Sequence, residues 1–376
     1  MPSGSLAVSL VRTDAPGFRE LLADPSAAES ISTAAGCPLV VVEIEDGAAG
    51  AALAGLDTTA LPAVVVAVAR DPGCLPQSAF AACDVVLTED AAAGCPFVAP
   101  SGGLEAGLAG LVAAVSANPA AAATLALLLR SAVGLSAPAA LVAESAAYSA
   151  LQGGAEFRRW QAGRPTRPPE PGLEADRLGP VWPERVRLER SQAELRIVLA
   201  RPARRNAVDW RMRDALAEAL AVAIREPCLR VELAGDGPDF CSGGDLDEFG
   251  SRRDPAQGHI VRLTRSPALL LHHLADRTTA RLHGSCIGAG VEWPAFAGRI
   301  VAAPDTRFAL PELSLGLIPG AGGTVSLTRR IGRWRTAFLA LSGTCLTAAD
   351  ALAWGLVDAL EPVDELEPPD APGARS

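Results

Sequence analysis

Two carboxylates in the C-terminal half of this chain stand beside unusually bare backbone. Glu292 lies in HGSCIGAGVEWPAFAG (residues 283–298). Glu312 follows a proline in FALPELSLGLIPGAGGT (308–324), where four glycines fall within eight residues. A third glycine-containing stretch, DFCSGGDLDEF (239–249), precedes both. Carboxylates are a residue type suited to taking and giving protons. Taken singly, each stretch also has a structural reading. Gly-Gly before a helix marks a turn, Gly-Ala-Gly before a helix permits close packing, and a Glu after Pro complements a helix dipole.

Other chemistries find less support. The four histidines (His259, His272, His273, His283) lack metal-ligand spacing, and the eight cysteines form no C-x-x-C pair, so no metal site and no disulfide framework are expected. A formal charge of −10 argues against a nucleic-acid surface, which needs a basic stripe to neutralise phosphates, and favours a small-molecule partner. The most apolar run, PAAAATLALLL (119–129), is too short to span a bilayer, and the first residues lack the basic start and apolar core of a signal peptide. A cytoplasmic protein with no membrane partner is expected.

The elements that must position the two glutamates follow from periodicity. Residues 163–183, GRPTRPPEPGLEADRLGPVWP, carry six prolines that can neither continue a helix nor donate to a sheet, and set a domain boundary. Beyond it, LRIVLA (195–200) and LRVELAG (229–235) read as strands. Between them DWRMRDALAEALAVAIRE places Met212, Leu216, Leu220 and Ile224 on one helical stripe, so the two strands should be parallel. TARLHG and GRIVAA read as further strands, RWRTAFLALSG and TAADALAWG as helices, the latter N-capped by Thr347. In the first half, residues 38–46, 61–69 and 83–90 read as buried strands, and the chain turns helical from Gly103. That half shows no acid–base pair, phosphate loop or nucleophile turn.

With RPARRNAVDWRMRDAL (201–216), the three glycine segments occur in an order that resembles the crotonase superfamily of enoyl-CoA hydratases and isomerases. The resemblance spans about residues 193–362. It implies an α/β fold with a ββα spiral core over residues 186–362, joined by a 163–185 linker to an α/β, helix-rich domain over 1–162 and followed by a polar tail over 363–376. It implies acid–base roles for Glu292 and Glu312, which match the two glutamates of the family's hydratases. An oxyanion would be held by the backbone N–H groups of Ser242 and Ala289, because a thioester enolate needs two donors aimed at one oxygen. Arg204, Arg205, Gly243, Gly244, Asp245, Gly288, Pro319 and Gly320 would line the substrate or its coenzyme A moiety. The glycines of PGAGGT would let the following helix pack close to the Glu312 loop. An acyl-CoA thioester is the implied partner, with no separate cofactor and a homo-oligomer, a trimer or a multiple of it, as the assembly.

The chain also departs from the family. Arg281 replaces a small residue, Pro294 enters the turn after Glu292, and Gly298 stands where an aspartate is common. Asp247 and Glu248 add negative charge beside a site for a polyanion. The family's closing helices do not follow the core. Residues 103–132 and 140–164 resemble them instead, so the first half is similar to a degenerate crotonase copy whose helices should complete the second half. An enoyl-CoA hydratase is the leading reading. An isomerase, a thioester hydrolase, a specialised biosynthetic crotonase and a non-catalytic partner subunit remain open at this level.

Overall fold

The computed structural model describes residues 9–72, 77–164, 185–251 and 254–362. Most of the proposed linker and the tail over 363–376 lie outside these. The chain divides into two compact units that cut across the expected domains. One consists of Met1–Trp160, Pro311–Pro319 and Leu327–Thr344, the other of Gln161–Leu310, Gly320–Ser326 and Cys345–Ser376. Glu312 therefore belongs to the same unit as the N-terminal helices.

In the first unit, β1 (Leu10–Asp14), β2 (Leu39–Ile44), β3 (Val64–Ala69), β4 (Val85–Leu87) and β5 (Phe97–Val98) form a parallel sheet in sequence order. All six residues of β3, VVVAVA, are buried, as expected for a central parallel strand covered on both faces. Four helices follow: Leu104–Ala117, Pro119–Ser131, Ala137–Gln152 and Ala155–Ala162. Arg130 ties the second of them to the sheet. Its buried guanidinium pairs with buried Asp84 and donates to the carbonyls of Thr58, Leu61 and Ala63. Glu156 accepts from the N–H groups of Ala120 and Ala121 at 2.8 and 2.9 Å, satisfying donors left over at the start of helix Pro119–Ser131. The returning segment is anchored in the same unit: Trp334 Nε1 donates to the Phe80 carbonyl and Arg335 Nε to that of Phe97. Helix Gly323–Ser342 breaks at Gly332, whose φ of 79° is left-handed; a side chain there would meet Cys95 Sγ.

The second unit holds a six-stranded sheet of order β14-β11-β9-β8-β7-β6, parallel except for the β6–β7 pair, and a three-stranded sheet of order β10-β12-β13. The strands are β6 (Val186–Arg190), β7 (Glu194–Leu199), β8 (Arg230–Gly235), β9 (Thr278–Leu282), β10 (Ser285–Ile287), β11 (Arg299–Ala302), β12 (Arg307–Ala309), β13 (Leu346–Thr347) and β14 (Ala359–Leu360). Helix Trp210–Arg225 makes the expected crossover between parallel β7 and β8, with Asp209 as its N-cap. Met212, Leu216 and Leu220 face the core, whereas Ile224, expected on the same stripe, is 38% exposed in the helix's last turn.

The ββα rhythm is visible in how the strands are shared. β9 joins the large sheet and β10 the small one; β11 and β12 repeat the pattern. After β8, Cys241 bridges to Cys286 of β10, so the 239–244 loop lies beside the small sheet. Each turn of the chain thus ends in one of the three segments singled out above. Among the described residues no single helix is long and apolar enough to cross a membrane.

Candidate active site

The loop after β8 is held by a residue the sequence reading passed over. Asn206 is fully buried in a left-handed conformation (φ 53°). Its Oδ1 accepts from the Arg201 N–H, and its Nδ2 donates to the carbonyls of Asp236, Asp239 and Phe240. This fixes where residues 240–245 run. They pass directly against β10 and the residues after it. Ile287 N–H donates to the Cys241 carbonyl at 2.9 Å; a side chain on Gly243 would lie 2.9 Å from the Ile287 carbonyl, and one on Gly290 would lie 2.3 Å from that of Cys241. Glycine is required at 243 and 290 because two backbones pass within contact distance, and at 243 because φ is +89°.

The two expected oxyanion donors fare differently. Ala289 opens the short helix Ala289–Glu292 behind Gly288 (φ 51°), so its N–H has no intrahelical acceptor, and it has no other hydrogen-bond acceptor among the described residues. Ser242 N–H, however, donates to the Arg205 carbonyl at 2.9 Å and is already spent. Two residues on, Gly244 N–H has no acceptor among the described residues, while Gly243 and Asp245 are occupied by Cys241 Sγ and the Val208 carbonyl. The amide on offer in this loop is that of Gly244. The Arg205 carbonyl that occupies Ser242 is set by the left-handed turn at Arg205 and Asn206, which sequence does not display.

Glu292 sits in the first turn of its helix, 2% exposed. Its Oε2 accepts from the N–H groups of Ala321 and Gly323, both at 2.8 Å, and Ser326 Oγ donates to its backbone carbonyl. Gly323 begins the next helix, so the carboxylate rests where unpaired N–H groups and the helix dipole favour negative charge. This is what the PGAGGT glycines do. A side chain at Gly323 would lie 2.7 Å from Glu292 Cγ and 2.8 Å from its Oε2, and one at Gly322 (φ 108°) would strike Phe296 and Ala268. Gly323 makes room for Glu292, and Gly322 for Phe296 and Ala268. Pro294 begins a 3-10 turn after the helix, and Gly298 packs on the Ala275 carbonyl, so neither disturbs the amides that hold Glu292.

Glu312 begins a 3-10 turn, Glu312–Leu315, that touches helix Leu104–Ala117. Gly316, left-handed at φ 70°, lies so close to the backbone of Glu156 and Phe157 that a side chain would not fit. Glu312 is 8% exposed, and its Oε2 is buried without a hydrogen-bond partner among the described residues. Burial raises its pKa from the ordinary 4.5 to about 7; its own backbone N–H lowers it somewhat, and the negative charge of Glu144, on helix Ala137–Gln152, adds to the rise. At neutral pH this carboxyl holds a proton much of the time, as a general acid must.

The remaining candidate residues lie in unit two with one exception. Arg204 sits 3.7 Å from Asp247, and Arg205, with 68% of its side chain exposed, pairs with Asp239 at 3.1 Å. Asp245 pairs with buried Arg201 at 2.8 Å, a structural role. Gly288 directs β10 into the Glu292 helix, and Gly320 leads into the amides that hold Glu292, just after buried Pro319, which closes the first unit's 311–319 segment. Arg281, the departure noted on β9, pairs with Glu232 at 2.6 Å. Among the described residues no group of three or more His, Cys, Asp or Glu could hold a metal ion.

The sequence profile of the enoyl-CoA hydratase/isomerase family matches residues 189–370. The chain is 33% identical over 180 residues to the 2,3-dehydroadipyl-CoA hydratase of Escherichia coli K12, covering 47% of this chain and 69% of that one. It is 33% identical over 175 residues to the mevalonyl-coenzyme A hydratase of Beauveria bassiana, covering 44% and 62%. Among solved structures, an enoyl-CoA hydratase from Thermoplasma volcanium shares 32% identity over 49% of this chain and 79% of its own, with a TM-score of 0.44. The profile match lies outside residues 1–162. By this profile match and its 33% identity to the Escherichia coli hydratase over 69% of that protein's length, the chain belongs to the enoyl-CoA hydratase/isomerase family of the crotonase superfamily.

Proposed function

We propose that the protein is an enoyl-CoA hydratase, adding water across the conjugated double bond of a 2-enoyl-CoA thioester. The observation that carries this reading is that the two glutamates are prepared for opposite jobs. Glu292 is cradled by two backbone N–H groups that suit a carboxylate, and Glu312 is buried so that it keeps a proton near neutral pH. In this reading Glu292 takes a proton from water as the water oxygen bonds to the β-carbon. The double-bond electrons move to the thioester oxygen, and the resulting enolate is held by the N–H groups of Gly244 and Ala289. The enolate then takes the Glu312 proton at its α-carbon, and the two carboxyls exchange protons with solvent before the next turnover. The relatives named above as CoA hydratases support an acyl-CoA substrate, whose acyl chain is left open. Arg204 and Arg205 are the cations proposed to meet the coenzyme A phosphates, exchanging their present carboxylate partners for them.

The test is the loss of conjugated-thioester absorbance when crotonyl-CoA, then longer and aromatic 2-enoyl-CoAs, are mixed with the purified full chain. Activity that falls roughly 10² to 10⁴-fold in both Glu292→Gln and Glu312→Gln is expected. Full activity in both single variants would overturn the reading.

A further inference from the structure

The Gly244 amide is placed by a turn that the family profile covers and by residues that it does not. Residues 245–251 close on themselves: Glu248 N–H donates to the Asp245 carbonyl at 2.9 Å, Phe249 N–H to that of Leu246 at 3.3 Å, and Ser251 N–H to that of Glu248 at 3.0 Å. The turn folds the Phe249 ring back onto Gly244. A side chain at Gly244 would lie 2.5 Å from Phe249 Cε1 and 2.7 Å from Cζ, so the ring fills the space that the glycine leaves. Where Phe249 moves, the backbone that carries the unspent N–H must follow, because close-packed groups transmit a displacement instead of absorbing it.

One side of this turn is held from within the matched region, where Glu248 accepts from the Trp210 N–H at 2.8 Å. The other side is held from outside it. The cut between the two compact units falls inside helix Ala155–Ala162, after Trp160, so Gln161 and Arg164 belong to the second unit together with the turn. Both precede the matched residues 189–370. Gln161 Nε2 donates to the Phe249 carbonyl at 3.1 Å, and Arg164 Nη2 pairs with Asp247 Oδ1 at 2.7 Å in a half-buried contact; the other Asp247 oxygen faces Arg204 at 3.7 Å. Gly250, left-handed at φ 79°, admits Gln161 this closely, since a side chain there would lie 1.8 Å from Gln161 Nε2. Glycine is needed at 250 for its backbone conformation and for that approach.

We propose that Gln161 is a positioning residue for the oxyanion donor at Gly244, with Arg164 as its support: residues ahead of the crotonase core strap the 245–251 turn, keep the Phe249 ring against Gly244 and so fix where its N–H stands. The proposal rests on the hydratase reading for the oxyanion that this N–H meets, whereas the strap itself does not depend on that reading.

Amide hydrogen exchange of the full chain, read by mass spectrometry on peptides covering residues 240–251, tests the strap without substrate. Gln161→Ala should speed exchange there roughly 5-fold or more, and Gln161→Glu, which sets a carboxylate oxygen against the Phe249 carbonyl, should do the same, while peptides from β7 and β8 keep wild-type rates. With crotonyl-CoA, kcat of Gln161→Ala should fall roughly 5- to 20-fold with KM within about twofold, because a displaced donor loses more of its hold on the enolate than on the ground-state thioester. Unchanged exchange at 240–251 in a folded Gln161→Ala, or a raised KM at unchanged kcat, would overturn the proposal. Should neither Gln161 variant fold, Arg164→Met is expected to speed exchange in the same peptides about twofold or more, and unchanged rates there would overturn it as well. Faster exchange in the variants of a chain that hydrates no 2-enoyl-CoA would leave the strap standing and refute the hydratase reading alone.

Discussion

Replacing Gly323 with alanine isolates the cradle of Glu292. The backbone at Gly323 is not left-handed, so alanine suits its conformation, and alanine at a helix position is by itself favourable by about 0.5–1 kcal/mol over glycine. The added methyl would lie 2.7 Å from Glu292 Cγ and 2.8 Å from Oε2. Reaching ordinary contact near 3.4 Å requires the carboxylate to retreat by about 0.6–0.7 Å. Its bonds from Ala321 and Gly323, now 2.8 Å, would then stretch toward the limit of hydrogen bonding. Bonds to a charged group contribute about 1.5–3 kcal/mol each, so weakening both costs the Glu292 carboxylate more than the helix gains and moves the proposed base. In a hydration assay on the best 2-enoyl-CoA, kcat should fall roughly 10²-fold or more, with the thermal midpoint lowered only modestly. A Gly323→Ala protein with wild-type kcat would refute the claim that the missing side chain at Gly323 seats Glu292.

Three further outcomes follow from the same geometry. Because the folded pKa of Glu312 lies above its ordinary 4.5, the folded state binds the extra proton between pH 4.5 and about 7, and stability falls as pH rises through that window; Glu312→Gln should remove this slope, worth on the order of 3 kcal/mol, in denaturant titrations at pH 4.5 and 7.5. Asn206→Ala should destabilise by about 2–4 kcal/mol, since one buried N–H, two buried carbonyls and one half-buried carbonyl lose their partner, and a thermal midpoint within a degree of wild type would contradict that. Arg130→Met should cost about 3–5 kcal/mol by leaving buried Asp84 with only the Val65 N–H and the more distant Arg333 at 3.9 Å, and the double variant with Asp84→Leu should recover part of that loss in the same unfolding assay.

What sequence disclosed and what it hid divide along physical lines. The strands and the crossover helix after Asp209 were legible because burial imposes a period on residue type, and Thr347 caps its helix as its hydroxyl chemistry suggests. Glu292, Glu312 and Ala289 were singled out by ordered motifs, and the structure buries both carboxylates and leaves the Ala289 N–H without an acceptor among the described residues. The Gly244 amide was not: whether Ser242 or Gly244 offers its N–H depends on the Arg205 carbonyl, placed by two left-handed residues that no pattern marks. The role of Gly323 was hidden for a similar reason, since it answers to a carboxylate thirty-one positions upstream.

The central claim is that this chain adds water to a conjugated thioester, and isotope incorporation tests it most directly. Crotonyl-CoA is incubated with the full chain in water enriched in heavy oxygen and deuterium, and the product is read by mass spectrometry. The account predicts an intact CoA thioester carrying one heavy oxygen on the β-carbon and one deuterium on the α-carbon, formed by wild type and lost in Glu292→Gln and Glu312→Gln. A free acid with the heavy oxygen in its carboxylate, a shifted double bond without added oxygen, or unchanged substrate across the enoyl-CoA series would contradict it.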